Sequence, residues 1–190
     1  MASLTCSVRG RGRRGALRAL VFPGLVALGL AAMGDRAGWA QPAPPAQDCD
    51  RAAWPLGADR ARLSAPGLGS VAPGEVLVLP FDGALRLTLV PQAEANLPVP
   101  PRKAQEEAFA GVVGLKLPSP EQVWQVTVSA NAWIDVVVDG RALTPVAFTG
   151  VHACPGVRKS LRFRIPGGDA RLQVSGVQDM SLDFLVTPVN

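Results

Sequence analysis

Ser160-Leu161-Arg162-Phe163-Arg164-Ile165-Pro166-Gly167-Gly168-Asp169 decides the fold. Leu161, Phe163 and Ile165 alternate with Ser160, Arg162 and Arg164, the period of two that turns one strand face inward and the other to solvent. Pro-Gly-Gly-Asp then turns the chain. Beyond it, Leu172 and Val174 alternate with Arg171, Gln173 and Ser175. Upstream, Val123–Ser129 alternates in the same way through Trp124, Val126 and Val128. Trp133–Val138 is a nearly continuous β-branched run, as a central strand would have, and Asp139-Gly140 after it is a hairpin signal.

Working outward, Val76–Leu79, Leu85–Leu89, Val112–Leu117, Ala142–Phe148 and Met180–Val186 complete the set of apolar or alternating runs. Turn residues separate them at short intervals. No helical period of ten or more residues lies between them, which excludes a parallel α/β fold. Arg102–Phe109, with Lys103, Gln105, Glu106 and Glu107, predicts one or two helical turns. The expected fold is all-β: a single antiparallel β-sandwich or jelly-roll-like domain of about eight or nine short strands, over residues 75–190.

The 190 residues carry a formal net charge of +4, but the charge is unevenly placed. Residues 1–40 hold six arginines and one aspartate, leaving 13 basic against 14 acidic side chains in residues 41–190. The body is therefore near neutral and offers no electrostatic reason for a nucleic-acid or anionic-membrane partner. The basic start to Arg18, the apolar stretch Ala19–Met33 and the small-x-small site Gly38-Trp39-Ala40 predict a secretory signal over 1–40. That apolar stretch, broken by Pro23 and Gly24, is too short for a spanning helix of about 20 residues. Residues 41–74 then form a Pro/Ala-rich linker and an irregular segment with only Trp54, Leu56, Leu63 and Leu68 to bury. The predicted location is periplasmic or secreted.

Export gives the cysteines a meaning. Cys6 belongs to the leader, so Cys49 and Cys154 remain, and a lone pair in an oxidising compartment predicts a disulfide. Neither has a second cysteine at metal or redox spacing.

His152, the only histidine, lies in Gly150-Val151-His152-Ala153-Cys154. It could act as a general base, or be a loop residue packed beside the disulfide. No Gly-x-Ser-x-Gly elbow supplies a nucleophile. Asp135, Asp139, Asp169 and Asp183 are scattered rather than clustered as a calcium loop requires, and no cofactor is predicted. The densest positive run supplies the candidate binding patch: Arg158, Lys159, Arg162 and Arg164, with His152, Arg141 and Arg171 able to join it. Forked guanidinium donors suit carboxylates and sulfates, although a solvated sheet face would look the same in sequence. Trp124 and Trp133 lie inside strand patterns and are expected in the core.

Ala132-Trp133-Ile134-Asp135-Val136-Val137-Val138-Asp139-Gly140, Cys154-Pro155-Gly156-Val157-Arg158-Lys159-Ser160 and Arg171-Leu172-Gln173-Val174-Ser175-Gly176 together resemble a family of small exported bacterial β-sandwich proteins. The likeness covers roughly residues 109–186. Genomes often label members of that family homogentisate 1,2-dioxygenase. The enzyme of that name holds iron with His and Glu ligands, and one histidine cannot furnish two imidazoles. The resemblance thus implies the fold and export. The expected function is a non-enzymatic exported protein that binds an envelope partner or small ligand. The alternative is an enzyme, either the labelled dioxygenase or a hydrolase using His152.

Overall fold

The computed structural model describes residues 48–103, 105 and 107–189. The predicted leader 1–40, Cys6 and the Pro/Ala tract 41–47 lie outside the described residues. No described helix is long and apolar enough to cross a membrane.

The fold is an all-β sandwich of two mixed sheets. In chain order the strands are β1 (Gly69–Val71), β2 (Val76–Val78), β3 (Leu85–Thr88), β4 (Val90–Pro91), β5 (Phe109–Leu117) and β6 (Gln122–Val128). There follow β7 (Trp133–Val138), β8 (Arg141–Ala142), β9 (Ala147–Gly150), β10 (Lys159–Ile165), β11 (Gly168–Val177) and β12 (Ser181–Pro188). One sheet, here sheet A, has the order β1-β3-β12-β6-β10-β9. Sheet B has the order β2-β5-β11-β7-β8, with β4 against the end of β5. The long strands β5, β6, β7, β10, β11 and β12 fall in alternate sheets, so sequence neighbours face each other across the core.

Alternation explains that core. Leu161, Phe163 and Ile165 of β10, Trp124, Val126 and Val128 of β6, and Leu182, Phe184 and Val186 of β12 meet Val113, Leu115, Leu172, Val174, Ile134 and Val136 of sheet B. Phe163 stands opposite Trp124 in the ladder, and both are fully buried. A cross-strand aromatic pair of this kind contributes roughly 0.2–1 kcal/mol relative to an Ala–Ala pair.

Five readings are corrected. Among the described residues there are twelve strands, because β1, β4 and β8 are too short to show a period. The segment 41–74 is not irregular throughout: α1 (Gly57–Leu63) and β1 lie within it. Two pairings, β1 with β3 and β2 with β5, are parallel, while all the others are antiparallel. Ala142–Phe148 is two strands in different sheets, because Pro145 cannot donate to a ladder and the chain crosses over there. None of the described residues of 102–108 is helical, and Phe109 opens β5. The Asp139-Gly140 hairpin is present, with both residues at positive φ and Val138 opposite Arg141. That is the geometry a two-residue hairpin of matching twist requires.

The disulfide joins Cys49, in a 3-10 turn over Asp48–Arg51, to Cys154 in the β9–β10 loop, with Cα atoms 4.9 Å apart. Around it Trp54, Leu56, Leu63, Val151, Val157 and Leu185 form a second apolar cluster. Leu185 alternates with Phe184 and Val186, so this cluster covers the outer face of sheet A.

Candidate binding surface

The residues of the predicted patch are dispersed. Arg162 projects from the outer face of sheet A and lies over the Trp54 ring, 4.2 Å from its centroid, donating to Gln125 Oε1 at 3.0 Å. It is therefore spent on holding the N-terminal segment. Arg164, exposed, pairs with Glu121 at 3.7 Å. Arg141 belongs to β8, in the other sheet. Arg158 donates to Val151 O and to His152 Nδ1, each at 2.9 Å. That bond makes His152 Nδ1 the acceptor and places the ring proton on Nε2.

Lys159 is the member with a distinct environment. Its ammonium lies 5.4 Å from the centroid of Trp133 and 6.0 Å from that of Phe148, and it donates to Ala132 O at 2.5 Å. Both contacts fall within the range of cation–π attraction. Burial, and then the charge of Arg158, holds its pKa below the ordinary lysine value. Among the described residues no carboxylate lies within ion-pair distance of it.

The two rings come from different sheets. Trp133 opens β7 on the same side of the strand as Asp135, opposite Ile134 and Val136, and it is 42% exposed. This corrects its placement in the core; Trp124 is buried as expected. The signal was in the strand parity, since Trp133 shares its face with an aspartate. Phe148 stands on the edge strand β9 and is 57% exposed. Nothing in the sequence separated it from an ordinary edge residue.

Between Trp133 and Lys159 opens a cavity of about 230 Å³, lined also by Lys103, Gln105, Asn131 and Gly176. Gly176 has φ +70°, where β11 breaks register, and a Cβ there would lie 3.0 Å from Trp133 Cδ1 and 3.2 Å from Gln105 Oε1. Only glycine combines that conformation with room for the indole. The wall thus carries two ammonium groups, two amides and an aromatic face.

Two of the carboxylates singled out in the sequence have arginine partners. Asp183 receives Arg86 through both carboxylate oxygens, at 2.7 and 3.0 Å. Asp135 receives Arg102 at 2.9 Å. Among the described residues no three His, Cys, Asp or Glu side chains gather as a metal-holding group. No protein-family model matches the chain, and no curated protein matches it significantly.

Proposed function

We propose that this chain is an exported, non-enzymatic β-sandwich protein that binds an anionic component of the cell envelope at the Trp133–Lys159 corner. On this reading it is one of the small exported bacterial proteins its sequence resembles. One observation carries the proposal: a half-buried ammonium, gripped by two exposed rings from different sheets, has no described carboxylate to neutralise it. An acidic sugar fits that wall. Its C–H face stacks on the indole, its carboxylate meets Lys159, and the amides of Gln105 and Asn131 take hydroxyls. The disulfide between Cys49 and Cys154 supports export, because such bonds persist in oxidising compartments.

The test is titration of a galacturonate oligomer into protein recovered from the exported fraction, followed by tryptophan fluorescence and calorimetry. The wild type should bind saturably, with affinity falling as salt rises. Trp133→Ala and Lys159→Met should each weaken binding at least tenfold while retaining the β-dominated circular dichroism. Equal binding by wild type and both variants, or equal binding of a neutral galactose oligomer, overturns the proposal.

A further inference from the structure

The outer face of sheet B carries a polar square beside the Trp133 corner. Antiparallel register sets Trp133 of β7 opposite Ser175 of β11, and Asp135 opposite Gln173 one step along the same two strands. Strand residues two apart point the same way, so the four side chains share one face. Neighbours across the ladder stand about 5 Å apart and neighbours along a strand about 7 Å, which makes the square about the size of one pyranose unit. Trp133 is open to solvent, whereas Asp135, Gln173 and Ser175 are each exposed by 2% or less. Among the described residues five buried side-chain atoms lack a hydrogen-bond partner, and three of them lie on this square: Asp135 Oδ2, Gln173 Nε2 and Ser175 Oγ. The amide orientation is fixed, since Val99 N donates to Gln173 Oε1 at 3.3 Å and leaves Nε2 free. An acceptor, a donor and a hydroxyl able to act either way thus stand unpaired together. Buried polar atoms are normally satisfied, so this concentration marks a place that a polar guest can fill.

The segment over the square is held by few bonds. Among the described residues, 96–103 make no backbone–backbone hydrogen bond, and Pro98, Pro100 and Pro101 have no N–H to offer. Side chains tie the segment down instead. Arg102 Nε donates to Asp135 Oδ1 at 2.9 Å, and Gln92 Nε2 donates to Lys103 O at 3.3 Å. At its base Gln92 N donates to Ala108 O at 2.8 Å, so 96–103 can lift while that neck stays closed. Lys103 lines the Trp133 cavity, and lifting it opens that cavity inward onto the square.

We infer that Asp135, Gln173 and Ser175 form a second subsite, which takes adjacent hydroxyls of a neutral sugar unit joined to the acidic one. The inference rests on the acidic-sugar reading of the corner and extends it by one unit. Asp135 accepts from one hydroxyl, Gln173 donates to its neighbour, and Ser175 does either. The second unit is neutral because a further carboxylate would face Asp135, whose arginine leaves as the segment lifts. The guest supplies partners that the closed segment does not.

The experiment titrates galacturonate, digalacturonate and galacturonosyl-rhamnose into the purified full chain, followed by calorimetry. The rhamnose unit keeps two adjacent hydroxyls. Galacturonosyl-rhamnose should bind the wild type at least tenfold more tightly than galacturonate, and digalacturonate should show no such gain. Ser175→Ala should abolish the gain, leave galacturonate affinity where it was and raise the urea midpoint. A residue that only held the fold would lose affinity and stability together. Gln173→Met, checked for retained β-dominated circular dichroism, should abolish the gain as well. The Val99 amide should exchange its hydrogen faster with galacturonosyl-rhamnose bound than with galacturonate bound. Equal affinity for the two ligands, or a gain that survives in Ser175→Ala, overturns the inference and leaves the corner reading standing. If galacturonate itself does not bind the wild type, the corner reading falls and this inference with it.

Discussion

The outer faces of the two sheets meet the same problem in different ways. Each presents buried polar side chains that a covering segment must satisfy. Over sheet A, the Asp59 carboxylate of α1 accepts from Gln125 Nε2 at 2.7 Å and from Thr127 Oγ1. Thr127 bonds Ser160 at 2.9 Å, Arg162 bonds Gln125, and Thr149 Oγ1 accepts from Ala53 N at 3.1 Å. The stripe is closed except at the Trp54 indole Nε1, which has no partner among the described residues, and the disulfide fastens its cover. Over sheet B the cover is the loop between β4 and β5. Arg102 meets one oxygen of Asp135, and Val99 N donates to Gln173 Oε1 at 3.3 Å. Asp135 Oδ2, Gln173 Nε2 and Ser175 Oγ find no partner among the described residues, although all three residues are buried.

The difference teaches where each property resides. An unpaired buried polar atom costs about 1–3 kcal/mol, so the sheet A cover contributes stability that the sheet B cover partly forgoes. The cavity lined by Val76, Gly114 and Arg171 opens on the outer face of sheet B, and the Trp133 corner lies where residues of the two sheets meet. The disulfide fastens the sheet A cover, and the larger cavities lie against sheet B.

The contrast breaks most readily at the disulfide. Cys49→Ser should lower stability by about 2–5 kcal/mol, because the bond closes a long loop in the unfolded chain across a separation of 105 residues. Urea unfolding of the wild type with and without reductant should reproduce the same loss. Thiol labelling of denatured protein purified without reductant should find neither Cys49 nor Cys154 free. A variant as stable as the wild type would mean the sheet A cover does not depend on its covalent anchor.

A sharper comparison pairs one residue from each face. Asp59→Ala strips the acceptor from Gln125 and Thr127 and should cost roughly 2–3 kcal/mol. Ser175→Ala removes a buried hydroxyl that has no partner, and should stabilise by about 1 kcal/mol. Opposite signs in denaturant midpoints at constant slope would sustain the comparison, and a matching loss at Ser175 would end it.

The smallest effect concerns pH. Burial lowers the Lys159 pKa, so between that value and the unfolded lysine value near 10.4 the unfolded chain binds more protons than the folded one. Stability contributed by this group therefore rises with pH across that alkaline window and is flat below it. Lys159→Met should remove the rise and leave the protein slightly more stable at neutral pH. The half-exposed setting keeps the change small.

Trp54 and α1 show where reading along the chain stopped. The Ala/Pro/Gly-rich stretch 48–74 has no period long enough to declare a helix of seven residues, and Asp59 looks like any solvated acid within it. Its burial depends on Gln125 and Thr127, more than sixty residues away. The basic patch dissolved for the same reason, because Arg162, Arg164 and Lys159 are close in sequence but face Trp54, Glu121 and Trp133.

By itself the sequence determined the all-β class, the long strands, the Asp139-Gly140 turn and the Cys49–Cys154 bond. Each is a local signal, a period of two, a turn dipeptide or a pair with no rival partner. Only the tertiary structure decided which polar residues are buried, which tryptophan is exposed, and which charges share a cleft. Those properties arise where strands distant in sequence lie side by side. The pairing of Arg171 with Gly114 and Val137 is a fact of register, and no window along the chain contains it.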